Sequence, residues 1–70
     1  MSNSVYKIIE VVGTSDVSFG DAAKAAVETA AKSLKDLRVG EIKELDMKIE
    51  NGKVTAYRAK VNLSFKYVTD

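Results

Sequence analysis

The sequence predicts an α+β fold in which a three-stranded antiparallel sheet wraps around one helix. Three observations lead there. A run of β-branched and aromatic residues lies near the start, apolar residues at spacings of three and four fill the middle, and Asn51-Gly52 separates two strand-like runs at the end. The first and last patterns belong to strands and the middle one to an amphipathic helix.

The first strand, β1, is expected over Val5–Val12 (Val-Tyr-Lys-Ile-Ile-Glu-Val-Val). Ile9 and Val11 point to one face and Tyr6, Ile8 and Val12 to the other, the pattern of a strand covered on both sides. Gly13-Thr14-Ser15-Asp16 reads as the turn that ends it. The helix, α1, is expected from Ser18 to about Leu37. Ser18 is a natural N-cap, and Asp21 stands at the third helical position, near the positive end of the helix dipole. Ala23, Val27, Ala30, Leu34 and Leu37 form one apolar stripe, and Lys24, Glu28, Lys32 and Lys35 form the wet side.

The second strand, β2, is expected over Val39–Glu50 and the third, β3, from Lys53 to about Tyr67, giving the order β1–α1–β2–β3. Asn-Gly between them is the signature of a type I′ hairpin. A two-residue loop pairs Glu50 with Lys53, Ile49 with Val54, and Leu45 with Arg58. In β3, Tyr57, Ala59, Val61, Leu63 and Phe65 alternate strictly with Arg58, Lys60, Asn62, Ser64 and Lys66, as in a half-buried strand. β2 changes phase: Ile42 is apolar at an even position, Leu45, Met47 and Ile49 at odd ones. Either a bulge near Lys43-Glu44 reconciles them, or the two halves bury opposite faces. Lengths favour the second reading, because a helix of about 28 Å cannot cover a strand of roughly 40 Å. Leu45, Met47, Ile49, Val54 and Ala56 are then left without cover in the chain, and an exposed apolar patch of that kind marks an interface.

Composition points the same way. The 70 residues make one domain, residues 1–70, with a thin core. Small domains need a disulfide, a metal or a partner to hold them, and the chain has no cysteine and no histidine. Self-association is the staple that remains. Eleven basic and ten acidic residues give a net charge of +1, so no electrostatic pull toward nucleic acid or membrane is expected. No apolar run approaches the roughly 20 residues of a membrane span, and Met1-Ser2-Asn3-Ser4 has no leader character. A cytoplasmic location is expected.

Without thiol or imidazole, no Ser-His or Cys-His set can be assembled, and the chain is expected not to be an enzyme. Gly13-Thr14-Ser15 lacks both the Walker and the GxGxxG pattern and serves as a turn. Glu41, Glu44, Asp46 and Glu50 line β2. They can pair with bases across the hairpin, or supply oxygens to calcium or magnesium together with other chains. Arg58, on the far part of the hairpin beside Asp46, can close a bidentate ion pair or hold an anion.

Taken in order, these segments resemble the dodecins. The resemblance runs over essentially the whole chain: Glu10-Val11-Val12-Gly13-Thr14-Ser15, the alanine-rich helix, Leu37, the Asn51-Gly52 hairpin, and Val61-Asn62-Leu63-Ser64-Phe65. It implies a hollow homododecamer that stores a small ligand between subunits. In that family flavins stack on a tryptophan early in β2 and hydrogen-bond to a glutamine in β3. Those positions hold Val39 and Arg58 here, and a basic residue usual in the middle of β2 is replaced by Asp46. The chain has no tryptophan, so a flavin loses an aromatic partner worth about 0.5–1.5 kcal/mol beyond area burial. Leu37-Arg38-Val39, Glu44, Asp46-Met47 and Tyr57-Arg58 are similar to the calcium-binding branch of the family. The resemblance thus implies riboflavin, FMN or FAD, or else calcium, as ligand. It assigns ligand contacts to Val39, Glu41, Asp46 and Arg58 and a cation site to Asp46 with Glu44. The alternative is an assembly with a purely structural or interaction role that has lost flavin binding.

Overall fold

A computed structural model describes residues 3–67; the leader reading at Met1 and Ser2 and the chain end beyond Tyr67 lie outside the described residues. The elements are β1 (Tyr6–Ser15), α1 (Phe19–Ala31), β2 (Leu37–Glu50) and β3 (Lys53–Lys66). All pairing is antiparallel, in the spatial order β1–β3–β2. β3 is central because its clean alternation offers one fully apolar side. Ala59, Val61 and Leu63 are at most 1% exposed, and with Ala22 and Ala26 of the helix they form the core. The helix side of the sheet is called the inner face below, and the opposite side the outer face.

Small residues let the helix lie against the strands. Gly13 stands opposite Ala59, and a Cβ at Gly13 would collide with the Ala22 carbonyl oxygen and fall 2.9 Å from Ala26 Cβ. Gly13 is therefore a contact between sheet and helix, not the start of a turn. β1 runs on through Thr14 and Ser15, which pair with Arg58 and Tyr57. The chain then turns at Ser15, whose Oγ accepts from the Val17 N–H at 2.9 Å, and enters the helix at Ser18, whose Oγ accepts from the Asp21 N–H at 3.0 Å. This is the expected N-cap. Ser18→Ala should lower stability by about 1 kcal/mol, read from urea unfolding; an unchanged midpoint would show that the cap is dispensable.

The helix ends six residues earlier than its stripe suggested. The N–H groups of Ser33 and Leu34 both donate to the Ala30 carbonyl, at 3.1 and 2.9 Å, tightening the last turn. Asp36 then takes a left-handed conformation, φ 61°, which reverses the chain, a conformation aspartate tolerates better than most residues. Leu37 reaches the core as the first residue of β2, not as the last of the helix. The apolar stripe is also rotated: Ala22 and Ala26 are buried, whereas Ala23, Val27 and Ala30 are partly so. Tyr6, Ile8 and Val12 are exposed on the outer face, so β1 is covered on one side within the chain.

The bulge, not the opposite-face reading, resolves the phase of β2. Ile42 pairs with Val61 and Glu44 with Lys60, leaving Lys43 as the extra residue. Ile42, Leu45 and Met47 consequently share the inner face with their partners Val61, Ala59 and Tyr57. A second irregularity lies across the hairpin. Ile49 pairs with Val54 but Lys48 with Ala56, so Thr55 is extra. That one-residue shift overturns the expected pairing of Leu45 with Arg58: Leu45 faces Ala59, and Arg58 faces Asp46. A two-residue loop counted outward from Asn51-Gly52 cannot anticipate it.

The inner face is bare at the hairpin for two reasons. A helix of 13 residues is about 20 Å long, whereas the 14 residues of β2 reach roughly 46 Å, and the chain measures 56 Å along its longest axis. The helix also lies over β1 and β3 and scarcely meets β2. Phe19 closes its near end with an edge-to-face contact on Tyr57, ring centroids 5.0 Å apart. Ile42, Leu45 and Met47, on the strand the helix scarcely meets, and Ile49 and Val54, beyond the Phe19–Tyr57 contact, remain about half exposed or more, from 47% to 63%. No helix among the described residues is long and apolar enough to cross a membrane.

Candidate functional site

The polar residues singled out in β2 and β3 collect on the outer face, and the bulge at Lys43 is what collects them. Glu41 is odd in number while Glu44 and Asp46 are even, so strict alternation would split them between faces. One extra residue brings all three to the same side, opposite Asn62, Lys60 and Arg58. Continuing onto β1, the outer face carries four rungs: Ile8–Ser64–Val39, Glu10–Asn62–Glu41, Val12–Lys60–Glu44 and Thr14–Arg58–Asp46.

The last rung is closed. Arg58 Nε donates to Asp46 Oδ1 at 2.7 Å and Nη2 to Oδ2 at 3.2 Å, so the guanidinium engages both carboxylate oxygens. On the neighbouring rung Lys60 Nζ lies 3.1 Å from Glu44 Oε1. Lys48–Glu50 at 3.6 Å and Arg38–Asp36 at 4.0 Å are looser pairs. The hydrogen bond from Arg58, and then its charge and that of Lys60, hold the Asp46 carboxyl below its ordinary value near 3.8. The bond to Asp46 raises the Arg58 guanidinium above its ordinary value, and the bond to Glu44 raises Lys60 above 10.5.

These directions set the pH dependence. A depressed carboxyl contributes stability that is complete above its unfolded value and lost as pH falls through its folded one. The Asp46–Arg58 contribution should therefore be intact at neutral pH and vanish below about 3.8. Lys60 behaves oppositely: its contribution is intact below 10.5 and lost as pH rises further. Thermal midpoints of wild type and Asp46→Asn should differ at pH 7 and converge as the pH drops below 3.8. A gap that persists in acid would assign the effect to something other than this pair.

Asp46, Arg58, Glu44, Glu41 and Val39 thus share one face. Val39 is exposed opposite Ser64, two rungs from the Lys60–Glu44 pair and three from Arg58–Asp46, and offers no ring to stack on. Of the residues expected at an interface, Leu45, Met47, Ile49 and Val54 stand together on the inner face. Ala56 pairs with Lys48 on the outer face and is half-buried, apart from the other four. Two residues of the outer face had not been singled out. Lys60 is the base on Glu44, and Asn62 carries a buried side-chain oxygen with no hydrogen-bond partner among the described residues. Their signal was the period-two alternation of β3, which puts them beside Arg58.

For a cation the donor chemistry is suitable and the number is short. Asp46 and Glu44 are hard oxygen donors on adjacent rungs. Among the described residues, no three acidic side chains lie close enough to hold a metal by themselves.

Comparison with known proteins gives a consistent picture. The Dodecin family model matches residues 5–68. The chain is 47% identical over 64 residues to the calcium dodecin of Mycobacterium tuberculosis, covering 90% of this chain and 89% of that protein. The crystal structure of the calcium-chelating antigen calcium dodecin from that organism, with its calcium-binding site, superposes with a TM-score of 0.81 at 43% identity over 96% of both chains. The dodecin of Streptomyces coelicolor superposes with a TM-score of 0.91 at 33% identity, covering all of both chains. Higher identity goes with the calcium-binding relative and closer backbone agreement with the Streptomyces protein.

Proposed function

The chain belongs to the dodecin family, and from that premise we propose that it binds and stores a small ligand between the subunits of a hollow shell of twelve copies, without catalysing a reaction. The observation that carries this reading is the bare inner row Ile42, Leu45, Met47, Ile49 and Val54. Five apolar side chains on one face call for a covering surface, and no described segment of the chain covers them; a second copy, with the same apolar row, would supply one. Because the chain contains no cysteine or histidine, a thiol or imidazole nucleophile is excluded, which supports binding over catalysis.

The ligand that fits best is calcium. A flavin would meet Val39 in place of an aromatic ring, and a guanidinium already engaged by Asp46 in place of a free amide. Asp46 and Glu44 supply carboxylate oxygens of the kind calcium prefers. Calcium takes six to eight oxygens and two carboxylates carry four, so water and neighbouring subunits would complete the shell. The 47% identity to a protein named for calcium supports the same reading. A second reading, a shell with a structural role and no small ligand, is favoured by the pairing of Asp46 with Arg58 and of Glu44 with Lys60.

Three measurements decide among these. Light scattering should give about twelve times the 7.6 kDa chain mass; a monomer would overturn the shell. Riboflavin, FMN and FAD should keep their fluorescence at micromolar protein. Calorimetry with calcium should give heats that Asp46→Ala abolishes. A large assembly silent to calcium and to all three flavins would establish the second reading.

A further inference from the structure

We infer that Arg58 is a built-in competitor for the cation, so that calcium and the guanidinium contend for the same two oxygens of Asp46. The inference rests on the proposed calcium reading. Its own basis is geometric. Arg58 occupies both Asp46 oxygens, at 2.7 and 3.2 Å, from the directly opposed position on β3. A cation coordinated by Asp46 would sit roughly 2.3–2.6 Å from these oxygens, in the space the guanidinium fills. A divalent charge that close to a guanidinium also repels it. Binding is therefore an exchange: Arg58 swings away and the cation takes its place.

Nothing in the fold prevents the exchange. Within the single chain both side chains are about half exposed, 47% for Arg58 and 55% for Asp46, so wherever the shell leaves that face wet a displaced guanidinium can return to water without the penalty of a buried unpaired charge. The position is also specific. The next rung holds Lys60 on Glu44 through one oxygen at 3.1 Å, a single point charge that leaves the other carboxylate oxygen free. Glu44 can meet a cation while still paired; Asp46 cannot. Arg58 thus sets the calcium concentration at which the site fills, and keeps Asp46 neutralised below it.

Calcium calorimetry on the intact assembly tests the idea with wild type, Arg58→Gln, Arg58→Lys, Arg38→Gln and Asp46→Ala, each first checked for mass and circular dichroism. Removing the competitor should tighten calcium binding by about fivefold, the scale expected of a half-exposed charge pair. Arg58→Lys, which keeps the charge but loses the fork, should fall between Arg58→Gln and wild type and serves if the glutamine variant does not assemble. Arg38→Gln removes an equal charge from a site that does not touch Asp46 and should bind as wild type. Unchanged or weaker binding in Arg58→Gln and Arg58→Lys overturns the competition while leaving the calcium reading in place. Equal tightening in Arg38→Gln overturns it as well, because net charge would then be the cause. Full calcium heats in Asp46→Ala overturn the Asp46 site and the competition together.

Discussion

Gly13→Ala should remove a large share of the stability of the fold. The added methyl would overlap the Ala22 carbonyl oxygen and stand 2.9 Å from Ala26 Cβ and 3.0 Å from the Ala26 nitrogen. Two of those three neighbours are helix backbone, which cannot step aside as a flexible side chain can. The helix would have to lift from β1, opening the contacts of Ala22 and Ala26 with Ala59, Val61 and Leu63. Overpacking of this kind costs about 3 kcal/mol or more. A domain of this size holds roughly 4–10 kcal/mol in all, so the thermal midpoint should fall by about 15 °C or more. Gly20→Ala is the matched control. Its Cβ would meet only Ser18 Oγ, at 3.8 Å, and alanine is the better helix former by about 1 kcal/mol, so that variant should be as stable as wild type or slightly more. Equal midpoints for the two variants would show that the helix does not seat on Gly13.

Leu45→Glu should dissolve the proposed assembly while sparing the chain's own core. Leu45 is 50% exposed in the single chain, so a glutamate there can keep its charge in water as long as the subunit stays alone. In an assembly that covers the inner row, each copy would lose about 1–2 kcal/mol of apolar burial and face several kcal/mol of carboxylate desolvation. Symmetry repeats that penalty at every equivalent contact. Light scattering at micromolar concentration should show a sharp fall in mass, and Leu45→Met, which preserves volume and polarity, should retain the wild-type mass. A full-sized assembly of Leu45→Glu would place the subunit contacts elsewhere on the chain.

Both predictions turn on features read with unequal ease from the sequence. The apolar character of Leu45, Met47, Ile49 and Val54 was plain, and so was their lack of cover. The role of Gly13 was not: a glycine before Thr-Ser-Asp reads as a turn, and only the packed helix shows that the missing side chain makes room for Ala22 and Ala26. Helix length failed for a related reason. Leu34 and Leu37 continue the spacing of the stripe, and no local signal separates a leucine that ends a helix from one that opens a strand. The left-handed turn at Asp36 makes that separation, and it forms because Leu37 finds the core from β2.

The candidate site divides in the same way. Arg58 and Asp46 were adjacent in any reasonable register, and an ion pair between them was among the expected roles. Their direct opposition through two hydrogen bonds depends on the extra residue at Thr55, and the gathering of Glu41, Glu44 and Asp46 on one face depends on the extra residue at Lys43. By itself the sequence determined the element order, the Ser18 cap, the Asn51-Gly52 hairpin, the alternation of β3 and the kinship with dodecins, because each is written in neighbouring residues or short periods. Tertiary structure alone decided where the helix stops, which residues face each other across the hairpin and which face carries the carboxylates. A bulge costs little locally and shifts every later side chain to the other face, so its position is chosen by the partner strand and the helix above it.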